Sequence, residues 1–558
     1  MSFLSGQPST STSAELVIAF DFGTTNSGVA YSDNNSRSKQ ITVNYNWPGS
    51  VIAQAPHYCK TLTSLFYTPS PTKSGHFEPQ NWGWPALTAF NTAIVDFERK
   101  NQRRALESNK FSSIFFSIRY YEQNFKLYLA PETKQTAPLA QYFGDLNPER
   151  FAVDYVRSFT DFIIGELRVG IRNDLSMRDV QWCLTVPAIW DEGAKQKMRK
   201  YAEKAGMITG SDCPTNDSAS PYPLQIILES EAAAAYCETQ ARRRLNLKRG
   251  DRILIADVGG GTIDLAVHEI CKMDGEEGPI EVKEAASSYG GVGVVSKKIP
   301  CFNDFWRNVN PSIGPLLLSW CQRWKVGFDC KNYSADFSLL ASGLTNAWMQ
   351  YDRSRGIQNP DSHYMDLHLS NEDFKNIFDP EINKVLNLIK EQICNVRIIM
   401  VVENIFRTFD RDVDQIIIPD EPGKAICHGA VLIHVKKLRI SSRISRRSYG
   451  ICTIRNAQED DPVDLIVKCE DGKSKCTMVF SVFVRAGEEV LTGSTIKRIF
   501  NPAFLKQKSI KIDLFSSTKR YPKYTSEAEA QLEGSFMIDI SKGMRGGRRR
   551  EIEVTIPW

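Results

Sequence analysis

The sequence predicts an α/β protein of two similar lobes followed by an all-β segment. Three observations predict it. A unit of strand, glycine turn and strand occurs twice, strands and helices alternate between and after the copies, and past residue 448 the pattern turns to short strands alone. With 558 residues the chain is too long for one hydrophobic core and suits roughly three or four globular units.

Composition excludes several classes. Apolar content of 42% and charged content of 24% are those of an ordinary soluble protein. A net charge of +4 is too small to argue for nucleic acid or a membrane as a global partner. The 13 cysteines are odd in number and scattered from Cys59 to Cys476, with no close two-residue pair, which fits a reducing compartment. Residues 1–15, "MSFLSGQPSTSTSAE", read as a disordered tail without the basic start and apolar core of a secretory signal. No apolar run approaches the roughly 20 residues that span a bilayer. The expectation is a soluble intracellular chain, cytoplasmic, with the nucleus also open to it.

The first unit is "ELVIAFDFGTTNSGVAYS", Glu15 to Ser32. Val17 to Phe20 is a β-type run, Gly23 to Asn26 is turn chemistry, and Val29 to Tyr31 resume an extended pattern. No helix follows the turn, so this is neither a P-loop nor a dinucleotide fingerprint, both of which use a helix N-terminus to hold phosphate. The second unit, "RILIADVGGGTIDLAVHEI" from Arg252 to Ile270, places Asp257, Gly259 and Leu265 where the first has Asp21, Gly23 and Val29, each 236 residues on (257 minus 21). The residue types suit one chemistry. Glycine lets backbone amides approach a polyphosphate, threonine hydroxyls add donors, and carboxylates at a cleft floor suit a hydrated magnesium.

These two units resemble the phosphate motifs of the actin-like ATPase superfamily, and within it the heat-shock protein 70 chaperones. "WCLTVPAIWDEGAKQKMRKYAEKAGM" (Trp182 to Met207), "LQIILESEAAAAYC" (Leu224 to Cys237) and "IIIPDEPGKAICHGAVLIHV" (Ile416 to Val435) are similar to further segments of that family, in the same order. Residues of about 35 to 145 match poorly. The resemblance implies ribonuclease-H-like duplicated lobes over 16–435 that bind ATP and Mg2+. It implies that Asp21 and Asp257 hold the metal through water. Gly23, Thr24, Thr25 and Asn26 would wrap the phosphates from one lobe, and Gly259, Gly260, Gly261 and Thr262 from the other. Glu229, at a strand end, and Asp264 would order the metal shell and the attacking water. The family also uses a lysine of the first lobe, for which Lys126 in "NFKLYL" is the candidate beside the plainer reading of a surface lysine.

Several pieces make sense from their residues alone. Leu184 to Val186 is a strand that Pro187 ends, and Asp191 can cap a helix whose apolar positions are Ala194, Met198, Tyr201 and Ala205. Leu224 to Leu228 is a buried-type strand leading into an alanine-rich helix from Glu231.

Departures from the family are as specific as the matches. The paired-glycine loop expected after the strand "VRIIMVV" (Val396 to Val402) is replaced by "ENIFRTFDRDVD". In "WCQRWKVGFD" Lys325 is kept as a nucleotide-side candidate, with Gln322 and Val326 where a glutamate and an arginine are expected. The junction 436–448, "KKLRISSRISRRS", has basic and no acidic side chains, and reads as a solvated basic linker, with docking on anionic surfaces or serine phosphorylation as the sharper readings. "RGGRRR" (Arg545 to Arg550) lacks interleaved aromatics and reads as a hairpin loop, so nucleic acid is an unfavoured partner.

Residues 449–558 read as an antiparallel β-sandwich resembling the family's peptide-binding half, without its helical lid, hence a divergent lidless branch. The implied function is a chaperone-like protein coupling ATP binding and hydrolysis to unfolded or extended polypeptides, with co-chaperones among its partners. A pseudo-ATPase scaffold is the alternative. A small-molecule kinase of the same superfamily is a second, disfavoured because a peptide-binding sandwich has no use there.

Overall fold

The computed structural model describes residues 14–34, 39–50, 58–101, 120–129, 145–188, 190–210, 218–244, 248–259, 262–272, 281–292, 335–338, 366–392, 398–401, 415–436, 439–468, 472–500, 509–539 and 552–557. Among them no helix is long and apolar enough to cross a membrane.

The first sheet contains β1 (Leu16–Asp21), β2 (Asn26–Asp33), β3 (Ile41–Val43), β4 (Lys60–Leu62), β5 (Val180–Val186) and β6 (Gln225–Leu228). Its order is β3-β2-β1-β5-β6, with β4 also on β2. The β1–β2 hairpin is antiparallel, whereas β5 and β6 join in parallel. The second sheet repeats this plan with β7 (Arg252–Val258), β8 (Thr262–Lys272), β9 (Glu281–Val292), β10 (Ile398–Val401) and β11 (Gln415–Ile417), in the order β11-β10-β7-β8-β9. Again the first three strands are antiparallel and the last two parallel. The duplication therefore extends from two turns to the topology of both sheets.

Strand alternation sorts the core into layers. Leu16, Ile18 and Phe20 pack with α1 (Pro148–Gly170) and α2 (Glu192–Ala205), and Phe20 stacks on Phe159 with ring centroids 4.0 Å apart. Val17 and Ala19 face the other way, onto α3 (Glu229–Arg244) and α5 (Ala425–Lys436). Ile253 and Ile255 of the second sheet share that middle core, while Leu254, Ala256 and Val258 turn outward onto α4 (Asn371–Gln392). Helices α3 and α5 thus lie between the sheets. They approach so closely that a Cβ on Gly429 would stand 1.8 Å from the Ala232 carbonyl oxygen. By the same alternation Asp21 and Asp257 project toward this middle layer.

Helix α2 follows the sequence reading. Asp191 accepts from the Ala194 amide at 2.7 Å, Gly206 ends the helix at φ +81°, and Ala194, Met198, Tyr201 and Ala205 are buried. Helix α3 opens at Glu229, two residues before the alanine run suggested. Acidic residues in its first turn, Glu229 and Glu231, suit the helix dipole.

The basic junction needs correction. Within it β12 (Arg439–Ile444) is a strand, parallel to β9 through Glu281 and Arg439 and antiparallel to β16 (Glu489–Leu491) through Arg443 and Val490. It extends the second sheet into the C-terminal segment. Ser442, Ser445 and Ser448 are buried, so phosphorylation there would need the strand to open. The Arg443 guanidinium donates to Glu231 in α3 at 2.8 Å, which offsets part of the basic charge.

Beyond it lie two antiparallel sheets. One has the order β14-β15-β13-β18-β19, from β13 (Ser448–Asn456), β14 (Ile466–Lys468), β15 (Ser474–Val484), β18 (Ser509–Ser517) and β19 (Ala530–Asp539). The other pairs β17 (Thr495–Phe500) with β20 (Ile552–Pro557). Ile451, Phe483, Val484 and Val490 form a small core that Ile496, Phe500, Ile512 and Leu514 cover.

Candidate functional site

The carboxylates of the two hairpins sit at equivalent places in register. Asp21 pairs with Gly28 across β1 and β2, and Asp257 pairs with Asp264 across β7 and β8. Adding 236 to the first pair gives the second. Asp21, Asp257 and Asp264 are all buried. Asp264 reaches the other lobe, where its Oδ1 accepts the Ala188 amide at 2.7 Å, just past the proline that ends β5.

The turn of the first hairpin is closed by backbone geometry. A Cβ at Gly23 would lie 2.0 Å from the Asn26 carbonyl oxygen, so glycine is required there. Thr63 pins the turn, its hydroxyl donating to the Gly23 carbonyl at 2.9 Å and its amide to the Thr25 carbonyl at 2.9 Å. Thr24 is buried, while Thr25 and Asn26 are half-buried beside it. Gly259 follows β7 in the corresponding place. Gly260, Gly261 and Lys325 lie outside the described residues, as do residues 402–414, where the family resemblance places paired glycines; Thr262 begins β8.

Lys126 is not a surface lysine. Its side chain is 3% exposed, and its Nζ stands 2.6 Å from Glu229 Oε1. Phe22 and Trp190 rings flank the ammonium at 5.8 and 5.6 Å. Burial, then the charges of Asp264 and Asp21, raise the Glu229 carboxyl to about 7 against the opposing pull of Lys126. A carboxyl so tuned can take up or release a proton near neutral pH.

Sequence reading missed two participants. Lys60 Nζ lies 2.8 Å from Asp21 Oδ2, and the Thr185 hydroxyl donates to Asp21 Oδ1 at 3.2 Å. Burial would lower the Lys60 pKa, but Asp21, with Tyr58 and Cys59 adding to its effect, holds it well above the usual lysine value. Lys60 had a signal, being the one charge in "YCKTLTSLFY", Tyr58 to Tyr67. Thr185 had none, since a threonine in a strand is ordinary.

Asp21, Glu229 and Asp264 are thus buried within electrostatic reach of one another, with Lys60 on Asp21 and Lys126 on Glu229, and Asp257 is buried across the hairpin from Asp264. Among the described residues no group of three or more His, Cys, Asp or Glu converges tightly enough to ligate a metal directly. Hard oxygen donors set singly or in pairs fit a magnesium ion that keeps its own waters and arrives on a phosphate.

The chain is similar to known proteins over nearly its full length. Heat shock 70 kDa protein 12A of Mus musculus is 25% identical over 97% of this chain and 88% of its own length. Heat shock 70 kDa protein 12B of Homo sapiens is 24% identical over 95% of this chain and 84% of its own. Over nearly its whole length the chain is similar to these heat shock 70 kDa proteins. A shorter stretch, 20% of the chain and 16% of the relative, is 32% identical to Chaperone protein DnaK of Carsonella ruddii (strain PV). No protein-family model matches the chain.

Proposed function

We propose that this protein binds ATP with magnesium between its lobes and couples binding and slow hydrolysis to holding extended polypeptide, as a chaperone-like protein of the cytoplasm. The observation that carries the reading is the duplicated register that aims Asp21 on one side, and Asp257 with Asp264 on the other, at the same layer. In this reading the turns Gly23 to Asn26 and Gly259 to Thr262 hold phosphates through amides and hydroxyls. A bound magnesium would supply charge neutralisation, with the aspartates holding its waters. Lys126 orients Glu229, whose carboxylate accepts a proton from the attacking water at neutral pH.

For the C-terminal segment the two sheets over a common core support a β-sandwich. Its outer strand β19 exposes Leu532, Phe536 and Met537, which suits an extended apolar peptide added at the edge.

Calorimetric titration of ATP, ADP and GTP, with magnesium and with a chelator, tests the site. The sequence lacks the paired-glycine loop after the strand at Val396 to Val402. Two or three lost backbone donors cost roughly 1 to 4.5 kcal/mol in all, so binding should be weak and discriminate adenine from guanine poorly. No binding at millimolar ATP would leave the scaffold reading, which the missing loop favours.

A further inference from the structure

Register places three residues in one row across the first sheet: Asp21 on β1 pairs with Gly28 on β2, which pairs with Lys60 on β4. Side chains in such a row project from the same face. Gly28 has none, and the lysine stem lies across the vacant place: a Cβ on Gly28 would be 3.0 Å from Lys60 Cγ and 3.8 Å from its Cδ. The ammonium lands 2.8 Å from Asp21 Oδ2, while Thr185 occupies Oδ1. Asp21 is 1% exposed and Lys60 13%, so of the two it is the cation that stands nearer the surface.

The equivalent row in the second lobe is composed differently. Asp257 pairs with Asp264, and Asp264 pairs with Gly290. Where the first lobe has aspartate, glycine and lysine, the second has aspartate, aspartate and glycine. One duplicated row is internally neutralised and the other carries two carboxylates.

We propose that Lys60 is a built-in cation of the phosphate site, taking at Asp21 the place a metal would otherwise hold, so that magnesium is recruited from the Asp257 and Asp264 side alone. The proposal rests on the nucleotide reading above but narrows it, since Asp21, held by Lys60, drops out of the magnesium's shell, and it adds a specific consequence. A polyphosphate meets a fixed positive charge in the first lobe, and binding persists in part without divalent metal. The lysine is a phosphate-positioning residue, since its ammonium can donate to a phosphate oxygen while one of its protons stays on Asp21.

The test titrates ATP into the full chain with magnesium and with EDTA. For the unaltered chain the affinity in EDTA should lie within about tenfold of that in magnesium, about 1.4 kcal/mol. Lys60→Met should weaken binding in EDTA by about ten- to hundredfold, the worth of a charge-assisted hydrogen bond, and binding in magnesium much less. Lys60→Arg should restore much of the loss. Because Lys60→Met strands a buried carboxylate, the paired change Asp21→Asn with Lys60→Met is the folded control, and it must also lose the EDTA binding. Binding that needs magnesium absolutely in the unaltered chain, or a Lys60→Met loss equal in both conditions, overturns the proposal while leaving the nucleotide reading standing. Absence of binding in both conditions removes both.

Discussion

Replacing Lys126 with Met removes the ammonium that stands 2.6 Å from Glu229 Oε1 in a buried pair. Breaking a buried ion pair costs about 3 to 5 kcal/mol when the remaining charge must stay ionised. Glu229 need not stay so. Its carboxyl is already raised to about 7 with the lysine present, by burial and by Asp264 and Asp21, and without the lysine it rises further. At about pH 5.5 the variant therefore folds around a neutral carboxyl and loses little more than one hydrogen bond, roughly 1 kcal/mol. At about pH 8.5 it must bury a bare carboxylate or take up a proton, and the loss returns to about 3 to 5 kcal/mol. The direction follows from the raised value: between the unfolded value of 4.5 and the folded value of about 7 the native state holds more protons, so stability falls as pH rises through that window. The variant extends the fall beyond 7. Urea unfolding followed by tryptophan fluorescence, with Trp182 buried in the first lobe as probe, gives the midpoints at both pH values. An equal loss at both, or a loss under about 1 kcal/mol at pH 8.5, would mean that the carboxylate is compensated elsewhere and would refute the reasoning.

Three further outcomes are expected. Gly429→Ala sets a Cβ 1.8 Å from the Ala232 carbonyl oxygen, so α3 and α5 must part and stability should fall by about 1 to 3 kcal/mol or more; an unchanged thermal midpoint would count against the close crossing. Gly28→Ala puts a Cβ 3.0 Å from Lys60 Cγ and 3.1 Å from the Cys59 carbonyl oxygen, lifting the lysine from its row; nucleotide affinity in chelator should drop, and an unchanged value would show that the stem has another path. In the C-terminal segment Arg455 at 2.6 and 2.7 Å and the Tyr524 hydroxyl at 2.7 Å hold the Asp461 carboxyl well below the usual aspartate range. That contribution is present above the ordinary aspartate pKa and is lost as pH falls below it, so acid unfolding followed by circular dichroism should be steeper in the unaltered chain than in Asp461→Asn, and parallel curves would contradict it.

What the residues alone determined is local or repeated. An apolar run that ends in aspartate and enters a glycine turn writes its own hairpin, and a second copy made the duplication legible without any contact. Asp191 and Gly206 mark the ends of α2 because capping is settled within a few residues of the helix. Glu229 was singled out by its place at a strand end, and Lys126 only through the family. The tertiary structure decided the rest. That Lys126 is buried against Glu229, 103 residues away, depends on which segments pack together. The run of arginines after residue 436 carried no sign that part of it is a strand, because a sheet edge is completed by partners distant in sequence, here β9 and β16. Lys60 reaches Asp21 only because β4 pairs with β2 in the one register that puts a glycine between them. A shift of one residue would turn the lysine to the opposite face. Local sequence sets backbone conformation and which residues alternate, but neighbours across strands are set by register, and register is decided by the packing of the whole sheet.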